Sequence, residues 1–171
     1  MTSSLTDKIV AFLKEHHIPF TLEEHEDTPT SAQAANVRSK MLGIPPEEVL
    51  KRAAKSMILR SNSRFFQFVL PGNKKIDFKK VKKLLGSAST SLATPDEVLQ
   101  VTGVQIGGVP PFGNLFNIPV YLEQSMLANE QLDCNAGSRG VSLTMNVADY
   151  VKTVKPIMVD FAVENTEHVH N

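Results

Sequence analysis

The spacing of short apolar runs limits the fold of this chain more than any other feature. Residues 57–59 (Met-Ile-Leu) and 65–70 (Phe-Phe-Gln-Phe-Val-Leu) are separated only by Arg60 and the polar stretch 61–64. A parallel crossover needs a dozen or more residues, so two strands this close pair as an antiparallel hairpin. Further strand-like runs fall at 20–22, 104–106, 120–122, 132–135, 141–144 and 157–161, and several are joined by connections equally short. Helical patterns interrupt them irregularly. Ile9, Phe12 and Leu13 share a face over residues 6–17, and Pro19 ends that helix. Thr30 and Ser31 offer capping hydroxyls before a helix to Leu42, with Gly43 at its C-cap, and a short helical turn follows Pro45 and Pro46. Asp77 caps a helix to Leu85 with Phe78, Val81, Leu84 and Leu85 on the buried side. Thr94-Pro95-Asp96-Glu97 opens another that ends near Gly103, and residues 146–154 form the last. The expected class is α+β, a mixed α/β chain with a largely antiparallel, barrel-like sheet and helices packed outside. No strand leads into G-x-G-x-x-G or G-x-x-x-x-G-K, which argues against a doubly wound nucleotide-binding fold.

A chain of 171 residues, 42% hydrophobic, builds one core without disulfides or a structural metal. No internal repeat or low-complexity linker divides it, so residues 1–171 read as one domain with its core at about 20–162 and a flexible tail at 163–171. Eighteen Lys+Arg balance eighteen Asp+Glu, which excludes a globally basic nucleic-acid coat but not a local basic patch. The single cysteine, Cys134, excludes a disulfide framework and fits a reducing compartment. No apolar run reaches the roughly 18 residues of a membrane span. Charges interrupt the apolar positions of the N-terminus, unlike a secretory signal, so the expected location is the cytoplasm.

Three segments could carry chemistry. Residues 103–113 (Gly-Val-Gln-Ile-Gly-Gly-Val-Pro-Pro-Phe-Gly) form a loop whose glycines let backbone approach a ligand while the prolines fix φ; a tight structural turn is the other reading. Lys55 sits within the apolar run Ala-Ala-Lys-Ser-Met-Ile-Leu, where its ammonium either reaches solvent or points into a cleft toward an anion. Residues 135–140 (Asn-Ala-Gly-Ser-Arg-Gly) follow a strand and either bind through Asn135 and Ser138 or turn the chain. No Ser-His-Asp set or metal cluster is evident: His16, His17, His25, His168 and His170 have no ligand-like spacing beyond the isolated His-x-His at 168–170. Cys134, in a strand, reads as a small buried hydrophobe. Phe65, Phe66 and Phe68 read as sheet core, with Met57, Phe66, Phe68 and Leu70 as candidates to line a pocket.

In order along the chain, Thr30-Ser31-x-x-Ala-Ala, Ala54-Lys55-x-x-x-Leu59, Leu92-Ala93-Thr94-Pro95-x-Glu97, Gly107-x-x-Pro110-Pro111-Phe112-Gly113, 135–140 and Asp149-Tyr150 resemble the YbaK/prolyl-tRNA synthetase editing-domain superfamily, over about residues 25–161. The resemblance implies a mixed, barrel-like sheet surrounded by helices. It also implies hydrolysis of the ester between a wrong amino acid and the terminal adenosine of a tRNA, with no cofactor and no metal. By the same resemblance Lys55 sits near that adenosine and acts with Gly107 and Gly108, whose backbone N–H groups can stabilise an oxyanion. Thr30, Ser31, Val109, Pro110, Pro111, Phe112, Asn135, Ala136, Gly137 and Ser138 would surround the substrate. The ribose hydroxyl of the substrate would help to place or activate water. Some alanine-specific relatives in that superfamily carry a histidine a few residues before the position of Asn135, where this chain has Gln131, Leu132, Asp133 and Cys134.

Lys74, Lys75, Lys79, Lys80, Lys82 and Lys83 form the densest basic run. They make either a solvated helix face or a phosphate-contacting flank in which Lys79, Lys80, Lys82 and Lys83, with Arg139, meet the tRNA backbone. The partners implied are the aminoacyl-tRNA acceptor end and an aminoacyl-tRNA synthetase, with neither membrane nor DNA. A non-catalytic tRNA- or synthetase-binding module and a small-molecule hydrolase are the alternatives.

Overall fold

The protein is described here by a computed structural model covering residues 4–27 and 31–165. Thr30, His168 and His170 lie outside the described residues. Helix α1 (Leu5–Glu15) begins on a capping box in which Ser4 and Asp7 satisfy each other's backbone N–H, and it buries Ile9 and Leu13. Strand β1 (Phe20–Glu24) leads to α2 (Ser31–Leu42), which closes on Gly43 at φ +69°, and then to α3 (Pro46–Arg52) with proline at its first turn. The expected hairpin is β2 (Ala54–Ser61) and β3 (Arg64–Pro71), paired from Ala54↔Pro71 to Ser61↔Arg64. Asn62 and Ser63 both take positive φ at its turn, the handedness that matches strand twist.

The chain continues through β4 (Lys74–Ile76), α4 (Phe78–Leu85), β5 (Thr90–Leu92), α5 (Pro95–Thr102) and β6 (Val120–Glu123). It ends with β7 (Gln131–Asn135), β8 (Val141–Asn146), α6 (Val147–Val154), β9 (Ile157–Val159) and β10 (Ala162–Glu164). The largest sheet runs β5-β2-β3-β6-β9; β2 pairs antiparallel with β3 and β5, whereas β3–β6 and β6–β9 are parallel. The β3-to-β6 link carries α4 and α5, long enough for a parallel return. An antiparallel sheet β1-β8-β7 stands beside it, joined by the parallel bridge Ala53↔Asp133, and β4 pairs with β10.

The mixed class and the helices agree with the sequence. The pairing is largely antiparallel, as expected, and among the described residues the strands form three sheets with no ladder closing a ring. Residues 104–106 are not a strand, because Gly108 N–H donates to Gln105 O and Gly107 takes φ +88°, turning the chain there and leaving Ile106 exposed. Leu84 is 40% exposed rather than buried. Pairing extends to Glu164, opposite Lys74, and α1 places Ile9 and Leu13 in the main core, so packed structure reaches beyond 20–162 at both ends. Among the described residues no helix is long and apolar enough to cross a membrane.

Candidate active site

The seam between the two larger sheets opens into a cavity of about 380 Å³. Helix α2 supplies Ala34, Ala35 and Arg38, one helical face by their spacing, and β2 supplies Ala54, Lys55, Ser56 and Met57. Ile106, Gly107 and Val109 line it from the glycine loop, and Asp133, Cys134, Asn135, Arg139 and Ser142 from β7, β8 and the turn between them. The Lys55 Nζ donates to Lys74 O at 2.6 Å, which takes one of the three donors an ammonium carries. Burial holds its pKa below the ordinary lysine value, because desolvation penalises the charged form.

The glycine loop is anchored from both sides. Fully buried Gln67 on β3 donates to Pro110 O at 2.9 Å and Ser56 Oγ at 2.6 Å, and accepts from Gly113 N–H at 2.8 Å. A Cβ on Gly113 would come within 2.7 Å of Val120 Cγ2, so only glycine fits against that strand. Tyr150 donates to Pro111 O, and Phe112 packs edge-on against Tyr150 and Phe12. Nearer the cavity, Asn135 Nδ2 donates to Gly107 O at 2.5 Å and Arg139 donates to Ile106 O at 2.6 Å.

An ion cluster holds the cavity wall. Arg38, 3% exposed, donates to Glu23 at 2.6 Å, Asp133 at 2.7 Å and Thr144 at 2.8 Å. Arg52 grips the same Asp133 through Nε at 2.5 Å, and Thr144 donates to it as well. The two guanidiniums and a hydroxyl satisfy the buried carboxylate. Cys134 is buried, and desolvation, then the Asp133 charge, pushes its thiol pKa far up, so it is a poor nucleophile.

Of the residues expected in the site, Lys55, Gly107, Val109, Asn135 and Arg139 therefore come together. Gly108, Gly137 and Ser138 line a separate hollow of about 350 Å³, which Arg139 also borders. Pro110, Pro111, Phe112 and Ala136 are buried, with Ala136 and Phe112 in the main core. Lys79, Lys80, Lys82 and Lys83 lie on α4, where Lys80 pairs with Asp160 at 3.1 Å. Ser31 begins α2. Met57 lines the cavity, whereas Phe66, Phe68 and Leu70 pack with the second cluster around Phe161. Sequence reasoning missed Arg38, Gln67 and the meeting of His25 with Ser142, where Nε2 lies 2.6 Å from Oγ. The only local hint for Arg38 was its position one turn beyond the Ala34-Ala35 face.

The cavity is lined mostly by apolar surface, with the partly desolvated Lys55 ammonium beside a braced glycine loop. The chain belongs to the aminoacyl-tRNA editing domain family, whose model matches residues 25–153. It is 25% identical over 161 residues to the multifunctional Ser/Thr-tRNA deacylase ProXp-y of Escherichia coli K12, covering 90% of both chains. It is 27% identical over 126 residues to the proline–tRNA ligase of Thermosipho melanesiensis, covering 71% of this chain but spanning 21% of that ligase. The fold matches, with a TM-score of 0.75 and 21% identity over 95% of this chain and 99% of the other, a crystal structure described provisionally as a trans-editing enzyme for prolyl-tRNA synthetase.

Proposed function

We propose that this protein is an aminoacyl-tRNA deacylase, a hydrolase that cleaves the ester of mischarged tRNA in trans. Family membership and the similarity to a Ser/Thr-tRNA deacylase over 90% of both chains support the activity. The observation that carries the reading at this site is the cavity itself, which draws Lys55, Gly107 and Asn135 from three distant segments to one place. In this reading Lys55 holds a phosphate or ribose oxygen of the terminal adenosine by charge. The Gly107 N–H faces the aminoacyl carbonyl and stabilises the oxyanion of the tetrahedral intermediate, while the Gly108 N–H, expected to join it, is given to Gln105 O instead. Asn135 and Arg139 act as braces, since their side chains hold the Gly107 and Ile106 carbonyls.

The tRNA acceptor arm lies along α4 in this proposal. Lys55 bonds to Lys74 at the start of β4, and the chain runs from there directly into α4, whose Lys79, Lys82 and Lys83 are exposed. A prolyl-tRNA synthetase is the partner suggested by the ligase relative. Lys55→Ala tests the site: the folded variant is expected to lose nearly all deacylation of a mischarged tRNA that the wild type hydrolyses, and unaltered activity would remove the lysine from the mechanism.

A further inference from the structure

His25 follows β1 and is held there by its own N–H, which donates to Gly140 O at 2.9 Å. Its Nδ1 lies 2.7 Å from Glu26 O and its Nε2 lies 2.6 Å from Ser142 Oγ. A carbonyl oxygen only accepts, so Nδ1 carries the ring proton and the bare Nε2 of the neutral ring accepts from the Ser142 hydroxyl. Ser142 is 7% exposed and lines the cavity, within the β7–β8 ladder where its register partner is Asn135, the brace of the Gly107 loop. The pair joins residues 117 apart in sequence, and the substrate-binding assignments above leave both without a role.

We propose that Ser142 and His25, rather than the ribose hydroxyl that the family resemblance implies, form the proton-accepting pair of the deacylation, an inference that rests on the function proposed above. A water held against Ser142 Oγ attacks the ester carbonyl. As its oxygen bonds to the carbonyl carbon, its proton passes to Oγ and the Ser142 proton passes to His25 Nε2. When the intermediate collapses, the ester C–O bond breaks with its electron pair on the ribose oxygen. That oxygen takes the proton back along the same path, leaving free amino acid and a tRNA with its hydroxyl restored. Ser142 meets the water and His25 acts through it. The strand favours water over a covalent route: Ser142 lies mid-sheet, paired to Glu23 on one side and Asn135 on the other, so its peptide groups belong to ladders rather than to a sharp turn with N–H groups directed at an oxyanion.

Single-turnover and steady-state deacylation of one mischarged tRNA by Ser142→Ala, Ser142→Thr, His25→Ala and the double alanine variant tests the pair. Removing a general base typically lowers rate by about 10²–10⁴-fold, so each alanine variant should lose at least about 100-fold in kcat with KM within about threefold. Ser142→Thr should retain activity, imidazole in the buffer should restore His25→Ala but not Ser142→Ala, and the double variant should be no slower than the slower single one. Near-wild-type kcat in both single variants, or losses that multiply in the double variant, would overturn the pair. So would a covalent aminoacyl adduct on Ser142 in quenched reactions. If those variants stay active while Lys55→Ala is dead, this inference fails and the proposed function stands; a wild-type protein inert toward every aminoacyl-tRNA overturns both.

Discussion

Lys55 sets stability against function. Its folded-state pKa lies below the ordinary 10.5 because burial penalises the ammonium. Below the folded value both states carry the proton and the folded state bears the whole penalty; the penalty fades as pH rises through that value and is gone above about 10.5, where both states are neutral. Lys55→Met is therefore expected to raise Tm at pH 7 while abolishing deacylation, with the gain shrinking as pH approaches 10.5; a Tm below wild type at pH 7 would contradict this. Cys134 makes the opposite kind of prediction. With its thiol buried and its pKa pushed far up, iodoacetamide at pH 8 should leave the folded protein unlabelled and modify it fully in denaturant. At this scale the sequence marked residues whose type is unusual for their surroundings, as with Lys55 in an apolar run. It could not mark Ser142 and His25, each ordinary in place, because their meaning comes from a tertiary contact.

Between elements, the Asp133 carboxylate ties α2, α3 and the β1-β8-β7 sheet together through Arg38, Arg52 and Thr144. Removing it leaves Arg52 without its carboxylate partner and Arg38 with Glu23 alone in a largely buried place, so Asp133→Ala should cost about 3–5 kcal/mol in urea unfolding. A cost under about 1 kcal/mol would show the cluster to be dispensable. Gln67 does for the glycine loop what Asp133 does for the wall: Gln67→Leu strands Gly113 N–H and Pro110 O and should destabilise by about 2–4 kcal/mol. Elements with local signals were readable, among them the helices begun by Asp77 and Thr94, whose side chains cap as their types suggest. The three-residue strands β4 and β5 were not, since so short a segment is strand only through its partner. Residues 104–106 misled for the converse reason: their apolar pattern suits a strand, but no partner edge meets them and Gly107 bends the chain away.

Over the whole molecule, zero net charge conceals a basic flank on α4 and an acidic segment at Glu23, Glu24, Glu26 and Asp27. If α4 meets the acceptor arm, Lys79→Glu, Lys82→Glu and Lys83→Glu together should weaken tRNA binding and flatten its dependence on salt, because fewer counterions are released. Binding with unchanged affinity and salt slope would assign that flank to solvent. The fold class was legible because short links force antiparallel pairs. The parallel pairings β3–β6 and β6–β9 and the absence of closure were not, because both depend on strands far apart in the chain.

The central claim is deacylation, and it is tested most directly by incubating the purified 171-residue chain with a panel of correctly and incorrectly charged tRNAs, including mischarged prolyl- and cysteinyl-acceptor tRNAs. Release of amino acid from at least one mischarged tRNA, lost in Lys55→Ala, is the predicted result. Release from none of them would contradict the account and leave a domain that binds tRNA ends or a synthetase without hydrolysing the ester.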